Sequence, residues 1–373
     1  MRVVISAESF FPRTNGVANS VAQVSRELSK RDIPCLIIAP DSYAHDDFEG
    51  TPVHRVRSVE LPGVHDVDIA LASSHAIERE LRRFQPTVVH LASPMTLGRQ
   101  VLHAAQRLDV PTVAVFQTDV AGFAEHYRMG SVSFLADAVV RRIHRQATLT
   151  LAPSQASLDY LRGIQVHSIR SWGRGVDLDR FSPDCRSEQF RSMAGRGQPL
   201  VGYVGRLAPE KNIGILASLA RAGDVRVVVV GDGPSRRALT EAMPGALFTG
   251  RLDGAALATA FASFDVVVAT GENETFCQVI QEAMASGTPV VAPRIGGPVD
   301  LIDQGVTGLF YEPGDAQGLQ AQVRSLLNDD QLRRGMGGAA RAKVTGRSWG
   351  ALTEELIQHF RAVTHRTGLR EAA

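Results

Sequence analysis

Short runs of Val, Ile and Leu alternate with amphipathic stretches along nearly the whole chain, and this rhythm restricts the fold more than any other feature. Arg2 to Ala7 reads as a strand, Gly16 to Lys30 as a helix with one apolar face, and Pro34 to Pro40 as a strand again. The rhythm continues through Thr87 to Ala92, Thr112 to Gln117 and Thr148 to Ala152. Short runs that are apolar throughout belong to parallel strands covered by helices on both faces. The expected class is therefore α/β, with doubly wound sheets whose strand-end loops carry the chemistry.

From Gly173 to Gly197 the pattern breaks into Gly, Arg, Asp, Ser and Pro, and a second α/β series begins at Leu200. It runs through Leu200 to Gly205, Val225 to Gly231, Ala246 to Gly250, Asp265 to Ala269 and Thr288 to Ala292. At 373 residues the chain also exceeds one ordinary hydrophobic core. Two Rossmann-like domains are expected, over residues 1–172 and 173–349, with the interdomain connection in the broken stretch. Trp349 to His365, apolar at Leu352, Leu356, Ile357 and Phe360, predicts a closing helix.

Composition removes several classes of function. Lys and Arg number 40 against 39 Asp and Glu, so no global field favours nucleic acid. Cys35, Cys185 and Cys277 have neither disulfide nor metal-ligand spacing, which fits a reducing cytoplasm and no bound metal. Glu8 interrupts the first apolar run, so that run reads as a strand rather than a leader or an anchor.

Several strand-end loops could receive an anion. Pro12-Arg13-Thr14-Asn15-Gly16-Val17 leads into the first helix, where amides near Asn15 and Gly16 could face a diphosphate, although an ordinary strand-to-helix turn reads as well. Gly205-Arg206-Leu207-Ala208-Pro209-Glu210-Lys211-Asn212 places two cations beyond a buried strand, where a diphosphate could sit between Arg206 and Lys211. Each cation at ~4 Å contributes a few kcal/mol, and more as a leaving group gains charge.

Gly271 to Glu282 holds Glu274 and Glu282 with seven residues between them, ahead of and within a helix expected to start near Phe276. Eight helical steps span about 12 Å, too far for the carboxylate pair of a retaining glycosidase. Pro293-Arg294-Ile295-Gly296-Gly297-Pro298 offers further unobstructed amides, and loop-turn glycines explain it nearly as well. Asp253 has two readings beside Arg251: acceptor for guanine N1 and N2, or N-cap of the Ala-rich segment that follows.

Together these residues resemble the GT-B glycosyltransferase family 4, which carries a Gly-containing N-terminal loop, a G-R-x-x-x-E-K stretch and an E-x7-E motif. The likeness covers essentially the whole chain, and Ala7 to Val17 is similar to actinobacterial GDP-mannose-dependent lipid mannosyltransferases of the MgtA type. The resemblance implies two Rossmann-like domains facing a central cleft, an acceptor-binding first domain, and a C-terminal helix, 350–373, returning to it. It implies that Arg206 and Lys211 hold the donor diphosphate, Glu274 the transferred sugar and Glu282 the ribose, with Phe276 and Cys277 giving backbone amides.

It also implies a retaining transfer of a hexose, foremost mannose from GDP-mannose, to a glycolipid such as a glucuronosyl diacylglycerol or a phosphatidylinositol mannoside. No cofactor or metal is then expected. A UDP-sugar donor, and a nucleotide-sugar 2-epimerase of the same fold, are the alternatives. Asp119 stands where many relatives carry a histidine, and it is a candidate for orienting sugar or acceptor hydroxyls, while His126 reads as a loop residue. Arg79, Arg82 and Arg83 on one predicted helix and Arg141 and Arg142 on another are candidates for docking on an anionic inner membrane face; solvated helix faces would read alike.

Overall fold

The computed structural model describes residues 1–12, 15–40, 46–60, 68–92, 94–117 and 130–371. The chain divides into two compact units, Met1–Arg174 with Trp349–Ala373, and Gly175–Ser348. The first unit ends at Arg174 rather than at residue 172 because the Arg174 guanidinium, buried, donates to Gln117 at 2.6 Å within it. Trp349 likewise joins the first unit, since its ring lies in that unit's core.

The first unit contains strands β1 (Val3–Ala7), β2 (Cys35–Pro40), β3 (Asp47–Phe48), β4 (Thr51–Val56), β5 (Ser58–Glu60) and β6 (Asp68–Ala70). It continues with β7 (Val88–Ala92), β8 (Thr112–Val115), β9 (Leu149–Ala152) and β10 (Ile169–Ser171). Eight of them form a sheet in the order β10-β9-β8-β7-β1-β2-β4-β3, parallel except at β3, while β5 and β6 pair separately. β1 shows why the sheet is covered twice. Val3, Ile5 and Ala7 join a core with Val24 and Leu28 of the Gly16–Ser29 helix and Leu356 and Phe360 of the Trp349–Glu371 helix. Val4 points the other way, onto Ile77 and Leu81 of the Ser74–Phe84 helix and Leu97 and Val101 of the Thr96–Arg107 helix. The C-terminal helix is held further by Trp172, whose indole N–H donates to the Leu352 carbonyl at 2.8 Å.

The second unit contains β11 (Leu200–Val204), β12 (Arg226–Val230), β13 (Leu247–Gly250), β14 (Val266–Val268), β15 (Val290–Pro293) and β16 (Gly308–Tyr311). They form one all-parallel sheet in the order β13-β12-β11-β14-β15-β16. β12 is a valine run buried at every position from Val227 to Val230, with alternate residues entering the cores on either face. The stretch read as a connection up to Gly197 is corrected in part. It holds a helix, Glu188–Gly195, whose N-cap Ser187 accepts from Phe190 N. The signal is weak because this helix is only 8 residues long and meets the core through Phe190 and Ala194, too few to show a period, with Arg191 bonded to Asp265 at 3.1 Å.

Both sheets reverse their winding. In the first, the chain builds outward from β1 to β2 and β4, then crosses to β7 on the other side; in the second it builds from β11 to β12 and β13, then crosses to β14. The loops after β1 and β7, and those after β11 and β14, therefore flank the two switch points where open α/β sheets place ligands.

Candidate active site

In the second unit the loop leaving β11 turns at Gly205, whose carbonyl would lie 1.9 Å from any Cβ added at Gly231. Glycine at 231 is thus required for the ends of β11 and β12 to touch. The loop then makes a short turn of 3-10 helix, Pro209–Lys211, which stops at Asn212 in the left-handed region with φ 48. This turn places Lys211 beside the loop that leaves β14, and its Nζ donates to Glu274 Oε1 at 2.6 Å.

Glu274 reaches that position because Gly271 has no side chain: a Cβ there would stand 2.8 Å from Glu274 Oε1. Burial alone would lower the Lys211 pKa, but the Glu274 carboxylate outweighs it and the net shift is upward, so Lys211 is held as the ammonium. Arg206 is exposed at the start of the same loop. A cation and a carboxylate paired at a switch point can each turn to a different part of one ligand, the ammonium to a phosphate and the carboxylate to hydroxyls.

The helix of the E-x7-E stretch begins later than expected. It spans Gln278–Ala285, and Cys277 stands before it in the left-handed region with φ 71. Phe276 is buried. The Cys277 thiol is pushed up, first by burial and then by the nearby Glu274 charge. No side chain caps this helix, and of its first-turn amides that of Ile280 donates to the Cys277 carbonyl at 3.1 Å. Glu282 sits half-buried within it, near enough to raise Cys277 further.

Three expectations change in detail. Gly297 was read as a source of free amides, but its N–H donates to the Glu274 carbonyl at 2.7 Å, and a Cβ there would lie 2.6 Å from Phe276 N. Its part is to let the loop after β15 pack onto the Glu274 segment. Asp253 occupies the backbone position of an N-cap but makes no capping bond; its carboxylate pairs with Arg251 at 3.1 Å on an exposed edge, which leaves the base-contact reading standing. Asn15 caps its own helix, taking the amides of Val17 and Ala18 at 3.0 and 2.9 Å, so those two amides face Asn15 and not a ligand. Gly16 leaves space filled by Arg174, whose Nη1 would stand 3.0 Å from an added Cβ. Asp119 and His126 lie outside the described residues.

Two features escaped the sequence reading. Gly231-Asp232-Gly233-Pro234 follows β12, and Asp232 there pairs with Arg236 at 2.9 Å; the glycine-proline signature was the available signal. Glu8 follows β1, and its carboxylate accepts from Met95 N, Thr96 Oγ1, Leu97 N and Gly98 N at 2.6, 3.0, 3.1 and 2.8 Å. Desolvation raises its pKa against the pull of those donors. Nothing local announces this contact, because the partners are some 90 residues away.

Comparison with known proteins agrees with this layout. Residues 14–180 match the family model described as Glycosyltransferase Family 4, and residues 186–343 that described as Glycosyl transferases group 1. The chain is 48% identical to the GDP-mannose-dependent alpha-mannosyltransferase of Mycolicibacterium smegmatis over 100% of both sequences. It is 29% identical to the GDP-mannose-dependent alpha-(1-6)-phosphatidylinositol dimannoside mannosyltransferase of Mycobacterium tuberculosis, over 81% of this chain and 82% of that one. Among solved structures, Anabaena HepE in complex with UDP-glucose superposes with a TM-score of 0.79 at 20% identity, covering 97% of this chain and 100% of that one.

Proposed function

This chain belongs to the family 4 glycosyltransferases of GT-B fold, and on that premise we propose that it moves mannose from GDP-mannose to a glycolipid with retention of anomeric configuration. The observation that carries the reading is the Lys211–Glu274 pair, 2.6 Å apart at the switch point of the second sheet. Full-length likeness to a GDP-mannose-dependent mannosyltransferase supports the choice of donor.

On this reading Lys211 and Arg206 take the diphosphate, and the carboxylate of Glu274 turns to hydroxyls of the sugar. Glu282 receives the ribose, amides of Phe276 and Cys277 assist at the phosphate, and Asp253 with Arg251 faces the guanine. The acceptor hydroxyl attacks the anomeric carbon on the face from which the diphosphate departs. The bond from that carbon to phosphate oxygen breaks, and the hydroxyl proton passes to the departing phosphate, which leaves as GDP. The protein supplies orientation and stabilisation of the charge that develops on the leaving group. No metal is assigned a part, so chelation by EDTA leaves the rate unchanged.

The first unit binds the acceptor, with Asp119 orienting hydroxyls. Its exposed Arg79, Arg82, Arg83, Arg141 and Arg142 suit an anionic membrane surface at the inner face of the cytoplasmic membrane. Glu78 and Glu80 already pair with Arg82 and Arg83, at 2.8 and 3.8 Å, which limits that attraction to a modest one. No helix among the described residues is long and apolar enough to cross a membrane.

The test is transfer of radiolabelled sugar into organic-soluble product, using GDP-mannose and UDP-glucose in parallel with vesicles carrying mannoside or glucuronosyl glycolipids. Lipid labelled from GDP-mannose alone supports the reading. Turnover of the UDP-sugar with GDP-mannose inert would remove the donor assignment, and isomerisation of donor without any acceptor would remove the transferase mechanism.

A further inference from the structure

Lys211 does not stand alone on its turn. The residue after it, Asn212, is held at φ 48 and donates through Nδ2 to Glu272 Oε1 at 3.2 Å. In the peptide between Lys211 and Asn212, the Thr270 hydroxyl donates to the Lys211 carbonyl. Beside the Lys211–Glu274 pair, these two contacts join the loop after β11 to the loop after β14. Asparagine is among the few residues that adopt the left-handed region readily. Its backbone N–H caps the 3-10 turn on the Pro209 carbonyl, while its side chain does not cap the Ile213–Leu216 turn that follows, so the side-chain amide is available for the crossing.

We propose that Asn212 and Glu272 are positioning residues: their bond fixes the end of the Pro209–Lys211 turn against the second loop, and so aims the Lys211 ammonium at the donor diphosphate. The inference rests on the diphosphate role of Lys211 stated above. A lysine has four flexible carbons, and an aim lost by about 1 Å can cost a hundredfold in rate, so fixing the backbone just after the Lys211 Cα has a use that the stability of the loop does not require. Glu272 is suited to the task because a charged acceptor strengthens a hydrogen bond that is otherwise exposed to water.

The test compares Asn212→Gly, which keeps the left-handed backbone and deletes only the amide, with Glu272→Ala and Glu272→Gln. Binding of GDP alone is followed by calorimetry, transfer from GDP-mannose by kcat and KM, and folding by thermal melting. Asn212→Gly and Glu272→Ala each weaken GDP binding and lower kcat/KM by about five- to tenfold, with melting nearly unchanged. The double variant is no worse than either single one, and Glu272→Gln falls between the parent and Glu272→Ala because its amide oxygen still accepts, without the charge. In a Lys211→Met background, Asn212→Gly has no further effect on GDP binding.

Independent, additive losses, or unchanged binding in Asn212→Gly, would overturn the proposal. If Lys211→Met binds GDP and transfers normally, the diphosphate role of Lys211 falls and the inference with it. If Lys211→Met is impaired while Asn212→Gly is normal, only the inference falls. Should Asn212→Gly fail to fold, the contrast between Glu272→Ala and Glu272→Gln decides alone.

Discussion

At the switch point of the first sheet, the carboxylate of Glu8 closes the N-terminal end of the Thr96–Arg107 helix with four hydrogen bonds. At the same place in the second sheet, the Gln278–Ala285 helix has no side-chain cap, and the charged groups beside it, Lys211 and Glu274, hold each other. Both helix ends favour negative charge. The first has a carboxylate of its own chain in that position, whereas the second has none, the nearby Glu274 carboxylate being paired with Lys211. One topology thus yields a capped helix end in one unit and an uncapped one in the other.

The largest test of that contrast is chemical. Lys211→Ala is expected to lower kcat/KM by about a hundred- to a thousandfold, as loss of one preorganised donor at a developing charge does, with the circular dichroism spectrum intact. Normal turnover in that variant would erase the distinction between the two switch points.

Acid should separate the units next. All 11 histidines lie outside residues 175–348, and burial pulls both His90 and His144 down to about 4. Between an unfolded value near 6.5 and that depressed value, the unfolded chain binds protons that the folded first unit does not. Stability therefore falls as pH drops through this window and is retained above it, by up to about 3 kcal/mol per histidine. Trp172 and Trp349 both sit in the first unit's core, so tryptophan fluorescence reports that unit alone. Its urea midpoint should drop between pH 7 and 4.5; a midpoint that stays level there would show that these rings are not held neutral.

Glu8→Ala should follow in size. It strands the amides of Met95, Leu97 and Gly98, at about 1 to 3 kcal/mol, and lowers the tryptophan-detected melting temperature while GDP binding is untouched. A loss of GDP binding with unchanged melting would instead make Glu8 a ligand contact. The smallest effect belongs to Arg251→Ala. Its pair with Asp253 is more than half exposed on both sides, so stability shifts by no more than about 0.5 kcal/mol, and only the preference for GDP over UDP, read by calorimetry, should move.

How far the sequence could be read differed from residue to residue. Valine runs such as Val227 to Val230 declare buried strands because their pattern is local, and the positions of Lys211 and Glu274 on strand-end loops follow from that pattern. The short strands β3 to β6 were missed, being two to six residues long and without a clear apolar run. The loop at Asn15 and Gly16 reads both as a source of amides for a diphosphate and as an ordinary turn, and the Asn15 side chain caps the helix by taking the amides of Val17 and Ala18.

By itself the sequence determined the α/β class, the existence of two sheets and the set of charged residues at their strand ends, since each depends on neighbours only a few positions apart. Tertiary structure alone decided which of those groups meet. Lys211 and Glu274 are 63 residues apart, and Glu8 and Gly98 are 90. The reversal of strand order brings such loops side by side, and for Lys211 and Glu274 the missing side chain at Gly271 leaves room for the carboxylate.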